Sequence, residues 1–193
     1  MTQSVYLASS SKYRRELLSR LRVNFHCKSP QIDESVKEGE SPLDNCIRLA
    51  REKALAIAQE HPYAVVIGSD QVADVNGEAI SKPGTHEKAR AQLRAMSGQT
   101  IIFHTAVCVV RHDTKQVLEF TVPTQVEFRE LSDAEIERYL IAEEPYDCAG
   151  SAKSEGLGIS LLKKIESTDP TALIGLPLIE VANALREFEI TLP

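Results

Sequence analysis

The sequence predicts an α/β fold with a mixed, elongated and bent sheet, flanked by helices and divided into two lobes around a cleft. Segments with helical periodicity alternate with segments typical of strands along the chain. A continuous apolar run, 64–67, is typical of a buried central strand. Two β-rich runs, 100–111 and 117–129, flank the short polar segment 112–115, which favours an antiparallel pair.

Length and charge limit the class of protein. The 193 residues are enough for a real hydrophobic core, and we expect one domain over 1–193. The formal net charge of −6 argues against a broad nucleic-acid surface, which requires clustered lysine and arginine. A small anionic substrate is compatible with this charge, because cations can be grouped locally within an acidic protein.

Membrane and cysteine signals are weak. The N-terminal apolar run is short for a signal peptide, and no stretch approaches the length of a membrane span. The cysteines are widely spaced and form no C-x-x-C motif: Cys27, Cys46, Cys108 and Cys148. We therefore expect a cytoplasmic protein with reduced core thiols and no membrane partner.

The first strand, 5–8, leads directly into Ser9-Ser10-Ser11 and an apolar helical pattern. One serine hydroxyl can cap the helix by accepting a free N–H. The free N–H groups and the helix dipole attract phosphate, and Arg14 and Arg15 in the first turn suit phosphate oxygens. The junction suggests phosphate binding, while two solvated arginines on an exposed helix face are the alternative.

A second strand and a long helix are predicted next. Residues 24–28 have the pattern of a strand, and a polar loop follows. Ser41 can cap a helix whose first position is Pro42, since proline needs no hydrogen-bonded N–H there. Apolar residues then recur at helical spacing to about Gln59, which predicts one amphipathic helix.

The middle of the chain contains a strand, a hairpin and a helix. The apolar strand 64–67 is predicted to continue over 71–75 and to turn back at the Asn-Gly pair 76–77. A threonine cap predicts a helix over 85–96, which Gly98 would end.

The last third contains two further helices. A capping box at 132–135 opens a helix to about residue 142, and the glycine- and serine-rich stretch 150–158 is predicted as loop. A final helix begins at 175–177. Four of its side chains are expected to face the core: Leu178, Ile179, Ala182 and Leu185.

Two acidic positions can carry chemistry. Asp70 follows the apolar run through Gly68-Ser69, and we expect it at the end of the strand. A carboxylate there can bind Mg²⁺ or take a proton from water. Together with Glu34, in the loop pair Asp33-Glu34, it would suit a metal that bridges substrate phosphates. The alternatives are a turn-capping aspartate and a solvated loop.

Lysines and a late loop supply further polar groups. Lys53 lies on the long helix and Lys82 lies just past the hairpin. The loop 150–156 has glycine at both ends, which lets backbone approach a ligand, and it carries Lys153 and Glu155. Surface lysines and a flexible loop are the alternatives.

The order and spacing of these motifs resemble the Maf family of nucleotide pyrophosphatases over essentially the whole chain. The series is Leu7-Ala8-Ser9-Ser10-Ser11, Arg14-Arg15, Asp33-Glu34, Arg48-Leu49-Ala50, Lys53-Ala54, Gly68-Ser69-Asp70, Lys82-Pro83, Gly150-Ser151 and Gly175-Leu176-Pro177. Within the family the chain is similar to the YceF-like branch that hydrolyses N7-methyl-GTP. The features of that branch are Tyr13 before the arginine pair, Gln71 after Asp70, and the form of residues 153–156.

The resemblance implies a Maf/ITPase-like fold and a reaction. The reaction is cleavage between the α- and β-phosphates of a nucleoside triphosphate, with a divalent metal such as Mg²⁺ or Mn²⁺. The implied catalytic residues are Asp70 as proton acceptor, Lys53 and Lys82, and the implied metal ligands are Glu34 and Asp70. The implied substrate-binding residues are Ser9, Tyr13, Arg14, Arg15, Gln71, Lys153 and Glu155. A homodimer stays open.

The chemistry of the base fits that branch. Guanine presents N1–H and N2–H₂ as adjacent donors, and a carboxylate such as that of Glu155 could accept both. N7-methylation makes the ring cationic, which favours an aromatic face and a nearby anion. Two alternatives stay open: a nucleotide-binding regulator of cell division or septum formation with little turnover, and a Maf pyrophosphatase with another preferred base.

Overall fold

The structure, a computed structural model, describes residues 3–193. Its strands within this range are β1 (Val5–Leu7), β2 (Phe25–Cys27), β3 (Val65–Val75), β4 (Glu78–Ile80), β5 (Thr100–Arg111), β6 (Gln116–Phe128) and β7 (Leu162–Ser167). Its helices are α1 (Lys12–Ser19), α2 (Pro42–Glu60), α3 (His86–Met96), α4 (Asp133–Glu143) and α5 (Leu178–Glu187). The predicted α/β class is confirmed.

The strands form one mixed sheet in the order β2-β1-β3-β5-β6-β7, with β4 paired to β3. Strand β1 pairs in parallel with β2 and with the first part of β3, where Leu7 lies opposite Ile67. The far end of β3 pairs antiparallel with β4, where Ala73 lies opposite Ile80. The remaining pairings, β3 with β5, β5 with β6 and β6 with β7, are also antiparallel, and the predicted pairing of β5 with β6 is confirmed.

Hydrophobic clusters lie toward opposite ends of strands β3 and β5. One cluster packs α1 and α5 against β1 and β3 and contains Leu17 and Leu185. Another packs α3 and α4 against β5 and β6 and contains Phe103 and Phe128. The middle of β3 lies between these packed ends, and a cleft opens there, as predicted.

Local signals placed the helix starts well. Ser11 accepts from the backbone N–H of Arg14, and Ser41 and Thr85 cap α2 and α3 in the same way. Ser132 forms the predicted capping box with Glu135. In each case a side-chain oxygen satisfies a backbone donor that the helix leaves free.

Several sequence-based expectations were wrong. Ile179 is 50% exposed, because α5 begins at Leu178 and its buried stripe runs through Val181 and Leu185. The stretch predicted as loop contains short 3₁₀ turns at Ala149–Ser151 and Leu157–Leu161. Strand β7 has no counterpart in the predicted elements.

The cysteines depart from the expected core positions. Cys46 and Cys108 are buried, but Cys27 is exposed on the edge strand β2, and Cys148 is partly buried. All four are free thiols. Over residues 3–193, the structure contains no helix both long and apolar enough for a membrane crossing.

Candidate active site

Asp70 lies in the middle of β3, not at the end of a strand as predicted. The strand does not end at Asp70, because residues 66–74 of β3 pair continuously with β5. On the other side of β3, the pairing with β1 stops at Ile67 and the pairing with β4 starts at Ala73. Asp70 therefore sits beside a gap between two strand partners, on a rigid element that opens toward the cleft.

Helix α2 approaches β3 closely at Gly68. A Cβ atom at this position would lie 2.3 Å from the carbonyl oxygen of Ala50 and 2.6 Å from the amide nitrogen of Ala54. Only glycine permits this contact between helix backbone and strand backbone. Asp70 follows two residues later on the same face of β3, so its side chain also faces α2.

Lys53 on α2 meets Asp70 inside the cleft. Lys53 Nζ donates to Asp70 Oδ1 across 2.6 Å, and the two residues are 6% and 7% exposed. Buried charges of this kind require a partner, which each supplies to the other. Asp70 Oδ2 has no hydrogen-bond partner among residues 3–193 and remains available to a ligand or a water.

Glu34 joins this pair from the loop before α2. Its Oε1 lies 3.0 Å from Lys53 Nζ, and its side chain is 61% exposed. The loop is fixed to α2 by Arg48, which donates to Glu40 across 2.6 Å and 2.9 Å and to the carbonyl oxygen of Ser35 across 2.9 Å. Arg48 thus holds the segment that carries Glu34 beside the buried lysine.

The cleft consists of two adjoining cavities. The larger, about 530 Å³, is lined by seven of the predicted site residues: Ser9, Arg14, Glu34, Lys53, Asp70, Gln71 and Lys82. The smaller, about 260 Å³, contains the residues at the other end: Tyr13, Asp147, Cys148 and Glu155. Arg14, Gln71 and Lys82 line both cavities, so the two form one continuous cleft.

Arg14 is anchored by a backbone carbonyl. Its Nε donates to the oxygen of Gly175 across 2.9 Å, and the Ser69 hydroxyl donates to the same oxygen across 3.0 Å. Gly175 has φ +119°, a conformation that favours glycine. Across the described range 3–193 the terminal nitrogens of Arg14 make no hydrogen bond, so they can bind an anion. Ser9, at the bend before α1, accepts from the N–H of Ser11 across 3.1 Å.

Gln71 is held on the opposite face of β3 from Asp70. Its Nε2 donates to the carbonyl oxygens of Ala172 and Leu173, each across 2.9 Å, and also lies 3.1 Å from the hydroxyl oxygen of Thr105. The amide nitrogen is therefore already hydrogen-bonded within the protein. Any hydrogen bond from Gln71 to a ligand would use its carbonyl oxygen as an acceptor.

Tyr13 forms part of a polar cluster that the sequence did not predict. Its hydroxyl donates to Asp147, at 3.3 Å from each carboxylate oxygen. Burial and the nearby Cys148 and Asp147 groups raise the pKa of Tyr13, so the phenol stays protonated and acts as a donor. Asp147 carries no local sequence signal, because its partner Tyr13 is distant along the chain.

Glu155 lines the smaller cavity. Burial is the main reason that the pKa of this carboxyl is raised, and the nearby Glu143 and Asp147 carboxylates act in the same direction. The neighbouring Lys153 opposes the shift. The Glu155 carboxyl therefore takes up a proton more readily than an ordinary glutamate.

Two predicted substrate-binding residues lie apart from Asp70. Arg15 is exposed, and Lys153 Nζ donates to Glu143 across 2.6 Å. Both line a neighbouring groove of about 830 Å³, which shares Tyr13 and Glu155 with the smaller cavity, and neither lines the cavity that contains Asp70. Lys82, by contrast, is exposed at the cleft and has no ion-pair partner among the described residues.

The donor set fits a metal shared with a substrate. No group of three or more histidine, cysteine or acidic side chains able to hold an ion occurs within residues 3–193. The cleft does offer two carboxylates, Asp70 and Glu34, around one ammonium group. Mg²⁺ is commonly held by one or two carboxylates, with substrate phosphates and water completing its shell.

The chain belongs to the Maf-like protein family, whose model matches residues 4–188. A protein of Aromatoleum aromaticum named 7-methyl-GTP pyrophosphatase is 56% identical over 187 residues, which cover 97% of this chain and 96% of that protein. A protein of the same name from Cupriavidus pinatubonensis is 55% identical over 181 residues, covering 94% of this chain and 91% of that protein.

Among solved structures, the Ham1 protein of Staphylococcus aureus overlaps this chain in part. The overlap covers 66% of this chain and 73% of that protein, with a TM-score of 0.48 and 16% sequence identity.

Proposed function

We propose that this protein is a nucleoside triphosphate pyrophosphatase that hydrolyses N7-methyl-GTP to N7-methyl-GMP and pyrophosphate. The observation that carries the proposal is the Asp70–Lys53 pair on the wall of a cleft whose two ends differ in chemistry. Close relatives over nearly the full chain bear the name of this activity. In this proposal, residues 1–193 act as one pyrophosphatase domain that removes a modified nucleotide.

Asp70 acts as the proton acceptor. Lys53 holds Oδ1 and fixes the orientation of the carboxylate, which leaves Oδ2 to take a proton from the attacking water. The water oxygen bonds to phosphorus as the anhydride bond between the α- and β-phosphates breaks, and pyrophosphate carries the electron pair of that bond away. The rigid position of Asp70 within β3 holds it in a fixed geometry for this step.

Cations bind the triphosphate. Arg14 offers its terminal nitrogens, and Lys82, which has no ion-pair partner within residues 3–193, adds an ammonium group at the same cleft. Positioned cations stabilise the charge that develops on the leaving pyrophosphate. Glu34 and Asp70 would hold the divalent metal, which supplies charge neutralisation at the phosphates when it is bound.

The other end of the cleft binds the base. The Tyr13 ring offers an aromatic face, and Glu155 offers two acceptor oxygens to the N1–H and N2–H₂ donors of guanine. A carboxylate disfavours uracil, because the uracil ring presents carbonyl oxygens at its edge. Because the amide nitrogen of Gln71 already donates to backbone carbonyls, its carbonyl oxygen remains to accept from guanine donors.

A pyrophosphate-release screen tests the proposal. The purified protein is given N7-methyl-GTP, GTP, ATP, CTP and UTP, each with Mg²⁺, with Mn²⁺ and with chelator. We expect metal-dependent release of pyrophosphate, with the highest kcat/KM for N7-methyl-GTP. Tight binding of nucleotides without turnover would support a regulator, and a higher kcat/KM for another base would assign a different substrate.

A further inference from the structure

Asp147 occupies a place at the base end of the cleft that the proposed roles do not use. It lines the smaller cavity, accepts from the Tyr13 hydroxyl, and lies 3.4 Å from Lys12 Nζ. It follows α4 in a segment also tied to the strand-to-helix connection near Lys82, since Gly84 N–H donates to the carbonyl oxygen of Tyr146 across 3.1 Å. The hydrogen bond from Tyr13 and the ion pair with Lys12 place this half-exposed carboxylate beside the Tyr13 ring.

The Tyr13 ring already attracts cations. Lys12 Nζ lies 4.8 Å from the ring centroid and Lys153 Nζ lies 5.9 Å from it, both within the range of a cation–π interaction. An N7-methylated guanine is a cation, and these two ammonium groups would repel it. The balance of charge around Tyr13 therefore decides whether the methylated base is favoured.

Carboxylates reverse that repulsion. Lys12 pairs with Asp147 and Lys153 pairs with Glu143, and Glu155 adds a further carboxylate at the cleft. When all are ionised, these three carboxylates outweigh the two ammonium groups that lie over the Tyr13 ring, while Arg14 and Lys82 line the part of the cleft shared with the larger cavity. Without Asp147 the two signs would be equal, and Lys12 would lose its partner. Asp147 is also the member of this set that bonds the Tyr13 hydroxyl, which makes the aromatic ring more electron-rich.

Asp147 is held in its ionised form. Burial favours protonation, but the hydrogen bond from Cys148, the charge of Lys12 and the hydrogen bonds from Lys12 and Tyr13 together lower the pKa of Asp147. Burial raises the pKa of the Cys148 thiol to about 12, so this thiol remains protonated and able to donate.

We propose that Asp147 is a specificity-determining residue that makes the cleft prefer N7-methylated over unmethylated guanine nucleotides. It does so by placing a negative charge at the edge of the Tyr13 ring and by neutralising Lys12. The inference rests on the proposed function, and it adds to that function the residue that senses the positive charge of the base, as distinct from the hydrogen-bonding edge that Glu155 reads.

The test compares Asp147→Asn with Glu144→Gln. Asparagine keeps the size of the side chain and removes its charge, while the control removes a charge three residues away, at a position that does not line the cleft. Two ratios are measured for each protein: the kcat/KM ratio of N7-methyl-GTP to GTP, and the Kd ratio of the products N7-methyl-GMP and GMP measured by calorimetry with chelator present.

We expect Asp147→Asn to reduce both preferences for the methylated form by about three- to fivefold, and Glu144→Gln to keep them. Equal losses for methylated and unmethylated nucleotides would overturn the inference, since they would mean a structural role only. Equal changes in the two variants would overturn it as well. Failure of the proposed function has a different signature, because the wild-type protein itself would then release no pyrophosphate from N7-methyl-GTP.

Discussion

Lys53 Nζ lies 2.6 Å from Asp70 Oδ1, and this ion pair is buried where α2 packs against β3. Removing one partner of a buried pair leaves the other charge uncompensated. We expect Lys53→Met to lower the free energy of unfolding by about 1–3 kcal/mol, and the double variant Lys53→Met/Asp70→Asn to recover part of the loss. Urea unfolding of Lys53→Met, Asp70→Asn and the double variant measures these changes in the free energy of unfolding. A double variant as unstable as the sum of the single variants would mean that the pair is not coupled.

Arg14 should bind phosphate without regard to the base. Arg14→Ala removes both the guanidinium and the anchor at Gly175, so we expect KM to rise by a similar factor for N7-methyl-GTP and for UTP. Loss of a charged hydrogen bond corresponds to about 1.5–3 kcal/mol, or roughly 10- to 150-fold. The matched variant is Arg15→Ala, at an exposed position that lines the neighbouring groove and not the cavity of Asp70, and we expect a smaller rise in KM from it. A rise in KM confined to guanine nucleotides would place Arg14 at the base.

Tyr13 should contribute to the preference for the methylated base through its ring. Tyr13→Ala removes the aromatic face, and we expect the kcat/KM ratio of N7-methyl-GTP to GTP to fall, because stacking on a cation contributes about 0.5–2 kcal/mol. Tyr13→Leu is the control for side-chain bulk and should lower the ratio as well. A ratio maintained in both variants would remove the ring from recognition of the methylated base.

Guanine preference should depend on pH through Glu155. The ionised carboxylate accepts from guanine, but the protonated form presents a donor to the guanine donors. Because burial raises the pKa of this group, protonation on acidification starts at a higher pH than for an ordinary glutamate. We therefore expect the kcat/KM ratio of GTP to UTP to decline as pH falls through that raised value. The Glu155→Gln variant should show a low ratio with no such decline, and an identical pH profile in both proteins would contradict the assignment.

The loop that carries Glu34 should stay attached to α2 down to strongly acidic pH. The hydrogen bond from Arg48 is the main cause that lowers the pKa of Glu40 to about 2, from an ordinary value of 4.5. A lowered pKa means that the stabilisation is complete above the ordinary value and is lost as pH falls toward about 2. We expect the difference in unfolding free energy between wild type and Glu40→Gln to follow this course. Glu38→Gln, on the same loop, is the control, and an equal pH-dependent difference for it would contradict the role of the Arg48 pair.

The helices were predictable because their signals are local. Ser11, Ser41 and Thr85 each cap a helix through a backbone donor three residues away, which a sequence displays directly. Strand β7 was not predicted, because most of its residues are exposed and it depends on pairing with β6, far away in the sequence. Propensity alone does not specify a strand that tertiary pairing stabilises.

The candidate site, like the fold, was predictable only in part. The identities of Asp70, Lys53 and Glu34 were predicted, and the structure brings them together. The position of Asp70 within β3 was not, since it depends on the pairing of residues 66–74 with the distant strand β5. The contact between Tyr13 and Asp147 was also beyond the sequence, because it spans 134 positions along the chain.

Separation of the reaction products of wild type and Asp70→Asn tests whether the protein is a pyrophosphatase with Asp70 as its proton acceptor. Asp74→Asn, farther along β3, serves as the matched control. We expect wild type and the control to convert N7-methyl-GTP to N7-methyl-GMP and pyrophosphate in equal amounts. For Asp70→Asn we expect a rate lower by about 10²–10⁴-fold, with nucleotide binding largely retained. Formation of N7-methyl-GDP and phosphate by the wild type, or an Asp70→Asn variant with more than about a tenth of the wild-type rate, would contradict the proposed reaction and the role of Asp70.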